Sequence, residues 1–310
     1  MRQYGESEPV VSPIDVAGLP ALVEILRGVP DPRRRAGLRW PLGLVLVMCV
    51  VAVLCGARSL RQIWHIARGW DEHTRAVLGM STCPETSDAA VPVPTTLGRI
   101  LARIDGDALD DAIGGYFTVA AADPLVLPED TGDLCGQGLA VDGKAVRGAV
   151  REDGRQVHLL AAATHHLGLV VAQREVGVKT NEIPGFVPLL RPLDLHGVIV
   201  TSDALHTQTG HAKALVGMGA HYLMVVKANQ PKLFRQLKKL PWREVPLLER
   251  TDEKGHGRRE IRRLKAVTLA GSGLRFPHTV QAIQIRRRRQ DLKTGRTSTE
   301  TVYAVTDLTA

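Results

Sequence analysis

The chain has 310 residues, 44% of them hydrophobic and 23% charged, the balance of a soluble globular protein with a sizeable core. That profile excludes disorder for the chain as a whole, and 4% aromatic residues leave a base-stacking single-strand binder little to work with. Cys49, Cys55, Cys83 and Cys135 form no C-x-x-C pair. They argue against a disulfide scaffold or a cysteine-built zinc site, and they suit a reducing, cytoplasmic setting.

The net charge of +8 is unevenly spread. Residues 1–130 carry 12 basic and 16 acidic groups, and residues 131–226 carry 8 of each. Residues 227–310 carry 20 basic and 8 acidic groups, so this segment supplies more than the whole excess. Such a concentration points to a polyanion, most simply nucleic acid. A solubilising surface is the plainer reading, but it does not account for the asymmetry.

The start of the chain, Met1–Pro13, is polar and lacks the pattern of a secretory signal. Asp31-Pro32-Arg33-Arg34-Arg35 reads as a basic turn leading into a 16-residue apolar run, Leu42–Ala57. Spanning a bilayer takes about 20 such residues, so a buried core helix is expected rather than a membrane anchor. Ser59–Ala67 is amphipathic at helical spacing. A further helix is predicted over Thr95–Ile113, where Leu97, Ile100, Leu101, Ile104 and Leu109 recur at three- and four-residue intervals. Residues 14–118 are therefore expected to form a small all-helical domain, and 119–137, with Pro124, Pro128, Gly132 and Gly136, a linker.

From residue 138 the pattern changes. Leu139–Val146, Val157–Thr164 and Leu167–Val176 are short apolar runs, the first two separated by Glu152-Asp153-Gly154-Arg155, which predicts consecutive antiparallel strands. A helix is expected from about Glu182 to Leu190 with Pro184 in its first turn, then a strand at Gly197–Ser202, a helix at Thr207–Gly219 and a strand at His221–Val226. The order β-β-β-α-β-α-β is that of a ribonuclease-H-like mixed α/β fold, though periodicity leaves other α/β layouts open. A basic, β-rich segment follows, with a strand at Val280–Ile285.

In such an order the first and fourth strands are neighbours. Asp142 then falls in the middle of the first, and Asp203 just past the end of the fourth. Two adjacent carboxylates repel unless a divalent cation lies between them, and Mg²⁺ prefers such hard oxygen ligands. Simpler roles stay open: Asp142-Gly143 as a hairpin turn, and Asp203 as a helix N-cap.

The chain resembles the H-repeat-associated (ISAs-type) insertion-sequence transposases of bacteria, of the DDE class. The resemblance rests on Asp31–Arg35 with the apolar helix and Gly56–Ser59, Ala140-Val141-Asp142-Gly143-Lys144, Gln156–Leu160, Lys179-Thr180-Asn181-Glu182-Ile183-Pro184, Asp203–Gln208, Val226–Pro231 and Gly255–Arg262. These blocks come in the family's order and cover nearly the whole chain. The resemblance implies a helical associated domain followed by a ribonuclease-H-like catalytic domain over 138–310, with Asp142 and Asp203 as the first two acids of a catalytic triad. It implies Mg²⁺- or Mn²⁺-dependent hydrolysis at a transposon end, then attack of the freed 3′-hydroxyl on target DNA, with a dimer expected on double-stranded DNA. The family's third acid is a glutamate in a helix beyond the strand resembling Thr301–Val305. The chain stops at Ala310, before any such segment, so the third acid is unknown and a truncated, catalytically inactive DNA-binding remnant is the alternative expectation.

Residues 227–310 are expected to touch DNA. Lys227, Lys232, Arg235, Lys238 and Lys239 mark a helix with a basic face suited to backbone contact. Arg258 and the run Arg286-Arg287-Arg288-Arg289, read as a basic hairpin end, are expected to grip phosphates. Glu260, among alternating charges, is expected to be structural or DNA-contacting rather than a metal ligand. His206 is read as a local hydrogen-bonding residue.

Overall fold

The computed structural model describes residues 19–34, 38–80, 91–120, 137–151, 153–177, 182–255, 257–269 and 274–309. The chain divides into two compact units, Met1–Asp123 and Pro124–Ala310. Most of the stretch expected as a linker, residues 121–136, lies outside the described residues, as do Lys179-Thr180-Asn181 and His256 of the family-like blocks.

The first unit is helical: α1 (Leu19–Arg27), α2 (Leu42–Leu54), α3 (Leu60–Gly69), α4 (Glu72–Val77), α5 (Pro94–Leu101) and α6 (Gly106–Ala120). The apolar run forms α2, with Leu42, Val45, Leu46, Val47 and Met48 buried in a cluster that also takes Leu22 and Leu26 of α1 and Leu97 and Ile100 of α5. A fully buried leucine or valine contributes roughly 1.5–3 kcal/mol over an exposed one, enough to fix this helix inside the unit. Among the described residues no helix is long and apolar enough to cross a membrane. Arg33 of the basic turn is structural. Its guanidinium donates to Asp31 Oδ1 and Oδ2 (2.8 and 2.7 Å) and to the Trp40 carbonyl (2.7 Å), and it holds the Asp31 carboxyl below its ordinary pKa.

The single helix expected over Thr95–Ile113 is two. It breaks after Leu101, and Asp105 restarts it by accepting from the Asp107 and Ala108 amides (3.1 and 3.4 Å). This is a side-chain cap on otherwise unpaired N–H groups.

The second unit is a mixed α/β structure built on one large, mostly antiparallel sheet. Its elements are β1 (Gly138–Val150), β2 (Gln156–Thr164), β3 (Val170–Glu175), α7 (Ile183–Leu190), β4 (Ile199–Ser202), a 3-10 turn (Ala204–His206), α8 (Thr209–Gly217), β5 (His221–Val226), α9 (Pro231–Lys238), β6 (Glu249–Gly255), β7 (Arg258–Thr268), β8 (Gln281–Asp291) and β9 (Thr297–Thr306). The nine strands lie in the order β3-β2-β1-β4-β5-β9-β8-β7-β6. Among the described strands only β1–β4 and β4–β5 pair in parallel. The β1–β2 turn uses Gly154 at φ +79, a conformation that favours glycine.

Alternation along the strands decides which face is covered. Leu139 and Val141 of β1, Val200 of β4, and Tyr222, Met224 and Val226 of β5 are buried in one cluster with Phe186 and Leu190 of α7, Leu215 of α8, and Leu233 and Leu237 of α9. The intervening positions stay only partly buried, so the three helices cover one face. The basic C-terminal strands are not an appendage. β9 pairs antiparallel with β5, which extends the same sheet outward.

Candidate active site

β1 and β4 run parallel with Val141 opposite Ser202, so Asp142 and Asp203 are the next residues on adjoining strands. The structure thus brings the two predicted acids to one place on the sheet although 61 positions separate them. Asp142-Gly143 is not a turn: both residues pair with β2, opposite Ala161 and Leu160. Asp203 does act as a cap, its Oδ1 accepting from the Leu205 amide at 2.9 Å, which leaves its other carboxylate oxygen available. Both aspartates are exposed, and among the described residues Asp142 pairs with the exposed Lys144 (Nζ to Oδ2, 3.3 Å). Among the described residues no arginine pairs with either, and no three histidine, cysteine or acidic side chains are grouped to hold a metal ion. The donor set is two hard carboxylates open to solvent, which fits a largely hydrated divalent cation.

Several groups hold this end of the sheet in shape; of these the sequence points to His206 alone, as a local hydrogen-bonding residue. Glu182, just before α7, lies against the backbone of β1: a Cβ built on Gly143 would stand 2.2 Å from its carboxyl. Glu182 reaches His158 Nε2 of β2 (2.9 Å) and the buried His206 Nε2 (3.2 Å), joining three segments around the strand that carries Asp142. His211 stacks on Phe186 at 4.2 Å, with its ring nitrogens 3.0 Å from the carbonyl oxygens of His206 and Ile183, and burial lowers its pKa. The loop after β5 braces the turn after β4. Asn229 Nδ2 donates to the Ala204 carbonyl (2.6 Å), and Gln230 Nε2 donates to the Thr207 carbonyl (2.8 Å). A glycine directly after an acid inside a strand was the available signal for Glu182, since such a glycine marks close approach by another group.

The expected basic residues lie elsewhere. Lys232, Arg235, Lys238 and Lys239 are exposed on and just after α9, whose apolar side is buried through Leu233 and Leu237, and Lys227 is exposed after β5. Arg286–Arg289 are not a hairpin end. They lie inside β8, paired on both sides with β7 and β9, and the turn comes later, at Asp291–Arg296. The apolar pattern stops at Ile285, but the ladder continues on charged cross-strand pairs.

Glu260 of β7 is far from free. It accepts from Arg289 Nε (2.8 Å), Arg262 Nε (2.6 Å) and Arg287 Nε (3.2 Å). The hydrogen bonds from Arg289 and then Arg262 are the main causes that hold its carboxyl down at about 2. Arg258 lies on the same strand, opposite Asp291 and Gly255.

A sheet with one acid within β1 and another just past the end of the adjoining β4, preceded by a helical unit, defines a class that sequence comparison identifies. Residues 133–299 match the family described as "Transposase DDE domain", and residues 23–117 match "DDE_Tnp_1-associated". The chain belongs to the DDE transposase family. It is 31% identical over 246 residues to "Uncharacterized protein in dhlA 3'region" of Xanthobacter autotrophicus, covering 76% of this chain and 77% of that protein. It is 27% identical to "Putative transposase YncI" of Escherichia coli O157:H7 and 26% to "H repeat-associated putative transposase YhhI" of strain K12. These matches cover 78% and 79% of this chain but only 60% and 62% of those relatives. A piggyBac transposase synaptic complex with hairpin DNA aligns at 12% identity and a TM-score of 0.35, covering 95% of this chain and 58% of that one, a likeness too loose to specify the fold.

Proposed function

We propose that the chain works as a DNA transposase of a bacterial insertion sequence, a cytoplasmic protein that acts on double-stranded transposon ends and target DNA as a dimer. The second unit is read as a ribonuclease-H-like catalytic domain, supported by the order β3-β2-β1-β4-β5 with β1, β4 and β5 parallel. The observation that carries the reading is the placement of Asp142 and Asp203 as successive residues on adjoining strands of a DDE-family chain. These two carboxylates would hold a divalent cation, Mg²⁺ or Mn²⁺. When bound, such an ion supplies activation of an attacking oxygen and stabilisation of a leaving one in phosphodiester hydrolysis and strand transfer.

The chain's own contribution is positioning. Capping by Asp203 fixes one carboxylate oxygen on the Leu205 amide, and Asn229 and Gln230 tie that turn to β5. Glu182 holds β1 from the covered side. Lys144 partly offsets the charge of Asp142.

Mn²⁺ binding followed by electron paramagnetic resonance tests the reading. Replacing a group that merely orients a metal ligand weakens metal binding by about 10–100-fold, so Asp142→Asn or Asp203→Asn should cost at least that. Unchanged Mn²⁺ affinity in both variants would contradict the assignment.

A further inference from the structure

The β6–β7–β8–β9 ladders run without a register shift, so strand alternation sorts every charged residue onto one of two faces. Residues directly opposite in an antiparallel pair share a face. One face carries the rows Thr251–Arg262–Arg287–Glu300 and Glu253–Glu260–Arg289–Ser298. The other carries Arg250–Arg263–Arg286–Thr301, Asp252–Ile261–Arg288–Thr299 and Lys254–Arg259–Gln290–Thr297.

The faces differ in charge. Over 249–255, 258–265 and 284–291 the Glu260 face has four basic and four acidic residues, whereas the Arg286 face has seven basic residues and Asp252 alone as acid. On the first face the charges neutralise one another, with Glu260 engaging Arg262, Arg287 and Arg289. On the second, Asp252 is taken by Arg259 and Arg250, and Lys265 donates to the Trp242 carbonyl at 2.6 Å. Lys254, Arg263, Arg286 and Arg288 are exposed, and among the described residues none is in an ion pair within 4.0 Å, Lys254 acting on Asp252 only at longer range. Arg250, Arg263 and Arg286 stand side by side across three strands, and like charges directly opposite destabilise a sheet.

Register also locates this face. Val226 ends β5 opposite Tyr303, which is opposite Gln284. Beyond that level β7, β8 and β9 continue without β5, past the level of Asp142 and Asp203. The seven residues Ile285–Asp291 extend about 20 Å at the rise of a strand. Helix α9 packs on the Arg286 side: Phe234 and Trp242 lie 5.6 and 5.8 Å from Tyr303, which shares the face of Lys265. The exposed Lys232, Arg235, Lys238 and Lys239 thus belong to the same side.

We infer that the Arg286 face of the projecting strands, together with basic α9, seats the phosphate backbone of duplex DNA, and that Arg287 and Arg289 serve the fold by neutralising Glu260. The inference rests on the transposase reading and divides the four-arginine run into two functions. Each phosphate neutralised contributes about 0.9 to the slope of log affinity against log salt.

The test compares two charge-matched double variants on a mixed-sequence DNA duplex across a salt series. Arg286→Gln with Arg288→Gln should lower the slope by about 2 units, and Arg263→Gln alone by about 1. Arg287→Gln with Arg289→Gln should leave it unchanged. Because that pair strands Glu260, the same comparison is made with Glu260→Gln added, and thermal melts confirm folding. Duplex binding in which Arg287 and Arg289 carry as much of the slope as Arg286 and Arg288 would overturn the face assignment and leave the transposase reading standing. No salt-dependent duplex binding by the unaltered chain would overturn both.

Discussion

Two regions of the same sheet hold carboxylates in opposite ways. Where β1 meets β4, Asp142 on β1 and Asp203 just past β4 stand exposed, with Lys144 and the Leu205 amide as their partners among the described residues. On β7, Glu260 is half-buried and engaged by three guanidinium groups. A carboxylate engaged by three arginines has its charge neutralised and little to offer a metal, and release from those arginines would leave their charges unpaired. An exposed pair on adjacent strands keeps oxygens open and gains from a cation. The difference teaches that acidity in the sequence is not the signal of a metal site; the neighbours across the sheet decide it.

The largest expected effect concerns metal affinity. Combining Asp142→Asn with Asp203→Asn should lower Mn²⁺ affinity about 100-fold or more, whereas Glu260→Gln should not change it. An equal loss on Glu260→Gln would erase the contrast between the two regions. Next comes Gly143→Ala, which pushes a methyl group into the Glu182 carboxyl. Overpacking of this kind costs about 1–3 kcal/mol in chemical denaturation. Full stability there would mean Glu182 does not brace β1. Asn229→Ala removes the tie to the Ala204 carbonyl and should cost about 1 kcal/mol, with amide exchange accelerating around Asp203. The smallest effect is on acid stability. The Glu260 carboxyl sits at about 2, below its ordinary 4.5, so its support for β7 and β8 is fully present above pH 4.5 and fades as the pH falls toward 2. Amide exchange on β7 and β8 should rise over that window, and Glu260→Gln should reduce the pH dependence to what Asp252 and Asp291, also held below their ordinary pKa, contribute.

Much of the architecture was legible because local patterns agree with it. The β1–β2 hairpin follows from apolar runs around Asp153-Gly154, and α2 from an apolar stretch too short for a bilayer. The convergence of Asp142 and Asp203 follows from β1 and β4 being neighbours. The break after Leu101 was not legible, because Leu97 and Ile100 before it and Ile104 and Leu109 after it belong with the same cluster and keep one periodicity across the gap. Nor was the depth of Arg286–Arg289 inside β8, since register against β7 and β9 is a non-local fact and charged pairs carry no apolar alternation. Glu182 escaped for a similar reason. Its partners His158 and His206 each lie 24 positions away, and only the topology brings them together.

The most direct measurement of the central claim replaces the cation with Fe²⁺ and maps polypeptide cuts after ascorbate and peroxide are added, since radicals generated at a bound iron cleave the backbone beside it. The account predicts cuts confined to the segments around Asp142 and Asp203, abolished by Asp142→Asn and untouched by Glu260→Gln. Cuts at Arg258–Arg262 or Arg287–Arg289 would place the metal at the arginine-held glutamate and contradict it.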